Sequence, residues 1–215
     1  MRARDDVPRE TLPVPAVAGG LFGARLTQAE AYADLLGSDG IVRGLMGPRE
    51  RPRIWDRHLL NCAVVAAEVP DGARVCDVGS GAGLPGVVWA IMRPDLQVTL
   101  VEPLLRRSAF LTEIAGRLDL RNIRVLRARA EQVRGGERFD VVTSRAVAPL
   151  PRLLDWSMPL VRAGGVLLAM KGAGARDELR SAQAQGSRWR LDTAEILTLG
   201  AGVIDPQATV IRLRG

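Results

Sequence analysis

Short apolar runs alternate with longer amphipathic ones through the middle of the chain. Arg74–Asp77, Gln97–Glu102, Ile123–Ala128, Phe139–Ser144 and Gly165–Lys171 are short, apolar and end in polar residues or alanine, and they read as strands. Between them lie helix-forming stretches at Leu84–Met92, Leu104–Leu118, Glu131–Val133 and Leu150–Arg162, and a further one follows at Ala175–Gln185. Repeated strand–helix alternation predicts a mostly parallel sheet with helices on both faces. The last two strands, Arg188–Leu197 and Ala208–Arg214, lie close together and suggest an antiparallel hairpin at one edge.

Upstream the pattern is helical. Thr27-Gln-Ala-Glu30 has the form of a capping box, so a helix should start at Thr27. It carries Ala31, Leu35 and Leu36 on one face and runs towards Leu45, where Gly47-Pro48 breaks it. A second helix, Pro52 to Glu68, places Ile54, His58, Cys62 and Val65 near one face. Residues 1–20 are rich in proline, glycine and charge and read as a flexible tail. The expected organisation is a tail over 1–20, a helical extension over 21–70, and an α/β domain with a Rossmann-like sheet over 71–215.

Composition narrows the chemistry. The 215 residues suffice for one sizeable α/β domain with an extension. Aromatic residues make up 4%, which argues against base stacking on an aromatic platform. No apolar run is long enough to span a membrane, and the N-terminus has no signal-peptide core. Cys62 and Cys76 lack metal or redox spacing and read as buried reduced thiols of a cytoplasmic protein. The single histidine, His58, argues against a Ser-His-Asp site or a histidine-rich metal centre, so no metal is expected. It reads as a helix-packing residue with one nitrogen satisfied. The net charge of +6 fits a polyanionic partner such as nucleic acid, or simply a solvated basic surface. Of the 30 basic residues only Lys171 is lysine. Arg49, Arg51, Arg53 and Arg57 crowd the start of the second helix, where cations are unfavourable and an anionic partner would relieve them. The series Arg121, Arg124, Arg127 and Arg129 flanks the third strand and reads mainly as solvated surface.

The densest signal is RVCDVGSGAGLPG, Arg74–Gly86. A short strand, an acid at its end, four glycines and a helix open a nucleotide-binding βαβ unit. Gly81-x-Gly83-x-x-Gly86 alone matches a dinucleotide fingerprint. Asp77, however, sets a carboxylate at the mouth of the turn. That charge would repel a pyrophosphate and attract the ammonium group of a methionyl tail. Glu102 ends the second strand, where an acid takes the ribose hydroxyls of an adenosine. Together the two acids favour S-adenosylmethionine over NAD. A purely structural glycine turn is the remaining reading.

Ligands of such sheets lie beyond the carboxyl ends of the strands. The residues there are Asp77–Gly81, Glu102, Ala128–Glu131, Ser144-Arg145 and Lys171. Arg145 has the fork geometry to grip a base edge or phosphate, or it forms a surface salt bridge to a carboxylate such as Glu131. Lys171, at the end of the fifth strand, should face the same cleft.

Several stretches together resemble one family, the bacterial 16S ribosomal RNA guanine-N7 methyltransferases called RsmG or GidB. They are Arg57-His58-Leu59-Leu60, DVGSGAGLPG from Asp77, Glu102, Ala130-Glu131, Ser144-Arg145-Ala146 and Leu168–Gly172, in the family's order and spacing. The resemblance covers Leu26 to Gly172. It implies a class I methyltransferase that carries a methyl group from S-adenosylmethionine to N7 of guanosine 527 in 16S RNA. By position, Gly79, Leu84, Ala130, Glu131 and Arg145 would contact the cofactor, Glu102 would hold the ribose, and Arg145 and Lys171 would face the RNA, as naked 16S RNA or a 30S subunit. A monomer is expected. Two segments depart from the family pattern: Gly44–Gly47 stands where Asn-Leu-Thr is common, and Asn61-Cys62 where Asp-Ser is usual.

The chemistry agrees. N7 of guanine has an in-plane lone pair, so no proton need leave before it attacks a sulfonium methyl. Placement does most of the work and no general base is required. An exocyclic-amine methylase would carry an Asp/Asn-Pro-Pro-aromatic motif after the fourth strand, where this chain has Ser144–Val147. A pyrimidine C5 methylase would need a nucleophilic cysteine at a strand end. The competing readings are an NAD-dependent oxidoreductase and a non-catalytic RNA-binding protein.

Overall fold

The structure, a computed structural model, describes residues 12–133 and 136–215. Its centre is a seven-stranded sheet. The strands are β1 (Arg74–Val78), β2 (Gln97–Val101), β3 (Ile123–Leu126), β4 (Phe139–Arg145), β5 (Val161–Lys171), β6 (Glu195–Leu199) and β7 (Ala208–Arg214). They lie in the order β3-β2-β1-β4-β5-β7-β6. The first five pair in parallel, and β7 runs antiparallel to both β5 and β6. The expected antiparallel hairpin is therefore present, with β6 at the edge.

Period-two alternation divides the sheet's side chains between two apolar layers. Val75, Val98, Leu100, Val141 and Leu168 point into one. Cys76, Val101, Val142, Leu167 and Ala169 point into the other. The first layer is closed by the N-terminal helices, by α4 (Gly86–Met92) and by α5 (Leu105–Arg117). The second is closed by α6 (Ala130–Val133), α7 (Leu150–Ser157) and α8 (Ala175–Ala184). Parallel strands covered on both faces are apolar throughout, which is why their runs stand out in the sequence.

The N-terminal region departs most from expectation. Residues 1–11 of the expected tail lie outside the described residues. Ala16–Phe22 forms a helix, α1, with Ala18 and Phe22 buried. Phe22 meets Trp55 edge-to-face, with ring centroids 6.1 Å apart. Burial of this apolar run outweighs the low helix propensity of Gly19 and Gly20. The next helix, α2 (Leu26–Leu35), begins without a side-chain cap. A 3₁₀ turn at Gly23–Arg25 leads into it. The chain is thus already helical before Thr27, and a capping box there has no free N–H groups to satisfy. The helix continues through a π turn at Leu36–Gly40. The second predicted helix is a composite of a 3₁₀ segment (Pro48–Arg53), a π turn (Ile54–Leu60), α3 (Asn61–Val65) and a last 3₁₀ turn (Ala66–Glu68). Trp89 of α4 donates its indole N–H to the Cys62 carbonyl at 2.9 Å, so this composite and the sheet share one core.

Candidate functional site

The loop after β1 is built to approach a ligand with bare backbone. Gly79, Gly81 and Gly83 all have positive φ (69°, 60° and 106°), which glycine adopts without strain. A Cβ on Gly79 would stand 2.8 Å from a methyl of Val147. The Gly79 and Ser80 amides both donate to the Val101 carbonyl at the end of β2, at 2.8 and 3.1 Å. From the other side, Asp77 accepts from the Ser80 hydroxyl at 2.7 Å and the Gly86 amide at 3.0 Å. One acid thus clamps the start of the loop to the start of α4. Tyr32 of α2 adds a third tie, its hydroxyl donating to the Ala82 carbonyl at 2.9 Å.

This loop borders a cavity of about 570 Å³ at the carboxyl end of the sheet. That volume suits a cofactor-sized ligand. Gly79, Gly81, Leu84, Glu102, Ala130, Glu131 and Arg145 all line it. So do Leu45 and Met46, from the segment that departs from the family pattern, and Val147, Arg152 and Trp156. The guanidinium of Arg152 stacks over the Trp156 ring at 4.8 Å. Composition gave no hint of an aromatic wall here.

Two residues expected at the cavity lie elsewhere. Asp77 is fully buried and is not part of the wall. Burial pushes its carboxyl up to about 6, against the pull of the Ser80 and Gly86 hydrogen bonds. Lys171 does not share the cleft of Arg145. The strand register sets Arg145 beside Met170. Lys171, one residue on, therefore points to the opposite face. There it pairs with Glu178 of α8 at 2.8 Å and donates to the Ala148 carbonyl at 3.0 Å.

Arg145 points to the face of the N-terminal helices. It donates to the Arg57 carbonyl at 3.1 Å and to Nδ1 of His58. No bond to Glu131 forms part of this arrangement. His58 is buried, and its Nε2 lies 2.8 Å from Glu50. Burial first, and then the charge of Arg145, hold the imidazole down at about 4. Both ring nitrogens are thus engaged, where the sequence suggested one. Residues 50, 58 and 145 come together across the fold; marked stretches carry His58 and Arg145, but no local pattern joins the three.

The residues fit S-adenosylmethionine. Glu102 accepts from the Gly81 amide and the Leu104 amide, each at 3.0 Å and each through a different oxygen. A carboxylate has about four acceptor positions, so two remain for a pair of ribose hydroxyls. Asp77 Oδ1 is buried without a partner, an acceptor held in reserve beneath the glycine cradle. The two thiols are unsuited to nucleophilic attack: burial raises Cys62 to about 11 and Cys76 further.

A sheet in which only β7 is reversed, with a glycine cradle after β1 and an acid after β2, defines a class I methyltransferase. A solved precorrin-6y C5,15-methyltransferase from Geobacter metallireducens shares the fold, with a TM-score of 0.53 at 14% identity over 79% of this chain and 89% of that one. A family model described as rRNA small subunit methyltransferase G matches residues 25–202. A ribosomal RNA small subunit methyltransferase G from Nocardioides sp. is 61% identical over 198 residues, 92% of this chain and 79% of the relative. One from Thermobifida fusca is 56% identical over 193 residues, 90% and 81% of the two chains. The chain belongs to the rRNA small subunit methyltransferase G family (GidB), and its methyl donor is S-adenosylmethionine.

Proposed function

We propose that this protein transfers a methyl group from S-adenosylmethionine to N7 of one guanine, guanosine 527, in 16S ribosomal RNA. The observation that carries this reading is the cavity itself: a glycine cradle and the spare acceptor positions of Glu102 on one side, and the guanidinium of Arg145 on the other. The cofactor supplies an electrophilic methyl group on a sulfonium centre. Gly79, Gly81, Leu84, Glu102, Ala130 and Glu131 hold it, and Asp77 keeps the cradle closed from within. Arg145 orients the acceptor base or its phosphate. N7 already presents its lone pair, so positioning replaces proton abstraction.

The substrate is a polyanion, and the rim suits one. Arg49, Arg53, Arg106 and Arg129 are exposed, and among the described residues none of them meets a carboxylate within 4 Å. Such free guanidiniums suit contact with RNA phosphates. Lys171, already paired with Glu178, supports the site from the opposite face rather than touching RNA. The reading places the protein in the cytoplasm with its ribosomal substrate, acting as a monomer. No helix among the described residues is long and apolar enough to cross a membrane.

The test is methyl transfer from labelled S-adenosylmethionine to 30S subunits lacking the modification, and separately to naked 16S RNA, with the acceptor nucleotide mapped. Label on N7 of a single 16S guanine is the expected result. Label on another atom or another RNA, with the cofactor still bound in calorimetry, overturns the substrate assignment.

A further inference from the structure

Arg145 is the cavity residue whose placement the fold controls most unusually. Pinning an arginine side chain costs it rotamer freedom. Most pinned arginines in this protein are held by carboxylates, which also cancel their charge: Arg43 by Glu113, Arg93 by Asp95, Arg124 by Glu137 and Arg212 by Glu68. Arg145 is held by two neutral acceptors, the Arg57 carbonyl and the imidazole Nδ1 of His58. The carboxylate that completes the arrangement stands one step back, where Glu50 meets the far nitrogen of the same ring and also Arg57 at 3.3 Å.

We infer that His58 and Glu50 are positioning residues that orient Arg145 while leaving its positive charge unspent. The inference rests on the methyltransferase reading above. Glu50 accepts a hydrogen bond from the Nε2–H of the ring and so fixes the tautomer. Nδ1 then carries a lone pair, and an N–H of Arg145 donates to it. A carboxylate in the position of His58 would hold the arginine as firmly but neutralise it. A charged imidazolium would offer no acceptor at all and would repel the guanidinium. The charged groups facing His58 are Arg145 from β4, Glu50 from the 3₁₀ segment and Arg57 from its own turn. Burial and the two arginines oppose protonation while Glu50 favours it, and the balance leaves the ring neutral at physiological pH. The N-terminal helices thereby acquire a role in the reaction: they carry the acceptor that aims a residue of β4 into the cavity.

His58 is the only histidine in the chain, so its ring nitrogens can be read without assignment in the full-length protein labelled with ¹⁵N-histidine. Nuclear magnetic resonance should find the Nε2–H tautomer near neutral pH. The midpoint of its titration should move up towards the free value of 6.5 in Arg145→Ala. A Nδ1–H tautomer, or a midpoint unmoved by Arg145→Ala, overturns the inference, and neither readout requires the RNA substrate. In methyl transfer, His58→Ala should lower kcat by on the order of 10- to 100-fold, the scale of a misplaced reacting group. His58→Asn, whose Oδ1 takes the place of Nδ1 as acceptor, should recover part of that loss. Equal rates for Asn and Ala variants of equal thermal stability would also overturn the assignment. A wild-type enzyme that binds the cofactor but methylates no rRNA would instead sink the functional reading and leave the tautomer result standing.

Discussion

Arginines line both ends of the sheet, and the two ends differ in which of them they neutralise. At the amino end four are neutralised within the chain, while Arg74, Arg138 and Arg214 are exposed and meet no carboxylate within 4 Å among the described residues. Arg93 is held by Asp71 and Asp95, Arg121 by Asp119, Arg124 by Glu137 and Arg162 by Asp140. At the carboxyl end Arg49, Arg53, Arg106 and Arg129 are exposed without such partners among the described residues, and Arg145 is held by neutral acceptors. Composition counts all of them alike. The difference teaches that the net charge of +6 is unevenly available: several arginines at the amino end are cancelled within the chain, while Arg129 and Arg145 at the cavity meet no carboxylate within 4 Å among the described residues.

The harshest way to break this contrast is to remove the arginine at the cavity wall. Arg145→Ala should lower kcat/KM for methyl transfer by about 100-fold or more, with little change in thermal stability. A steady-state assay beside a melting curve checks both. The cradle comes next. Gly79→Ala places a Cβ 2.8 Å from Val147 at a φ of 69°. It should cost about 1–2 kcal/mol of stability and weaken S-adenosylmethionine binding at least about tenfold, as calorimetry would show.

A smaller effect concerns acid. His58 titrates near 4 in the folded protein against 6.5 when free, so unfolded chains take up the proton first and His58 subtracts stability as pH falls between those values. Asp77 titrates near 6 when folded against 3.8 when free, so it adds stability as pH falls through 6. The two oppose each other. Asp77→Asn removes the compensating arm and should lose stability more steeply than wild type between pH 7 and 5, measured by urea unfolding. The smallest effect belongs to the amino end. Arg121→Ala breaks an exposed pair and should change stability by no more than about 0.5 kcal/mol and methyl transfer not at all.

Much of this site is legible in the sequence because its determinants are local. The glycine loop, Glu102 and the order of strands follow from runs of a few residues whose backbone demands are specific. The separation of Arg145 from Lys171 is also written there, in the parity of β4 and β5. Reading strand ends as one cleft overlooks that parity, since register decides which face each end residue meets. The contacts that brace the site are not local. Glu50, His58 and Arg145 are brought together by packing of helices against the sheet, and Tyr32 reaches Ala82 across 50 residues of sequence. The irregular turns at Leu36–Gly40 and Ile54–Leu60, which set the course of those helices, have no simple periodic signature. The first helix was hidden by its glycines, because propensity describes a segment alone and burial against Trp55 decides it.

The contrast between the two ends is tested most directly by the salt dependence of methyl transfer to 30S subunits in two charge reversals, Arg129→Glu at the cavity and Arg121→Glu at the opposite end. The account predicts that Arg129→Glu lowers kcat/KM and reduces the logarithmic salt slope by about one or more, while Arg121→Glu leaves both at the wild-type values. Equal effects from the two reversals would contradict it, because the charge would then act as a diffuse property of the whole surface.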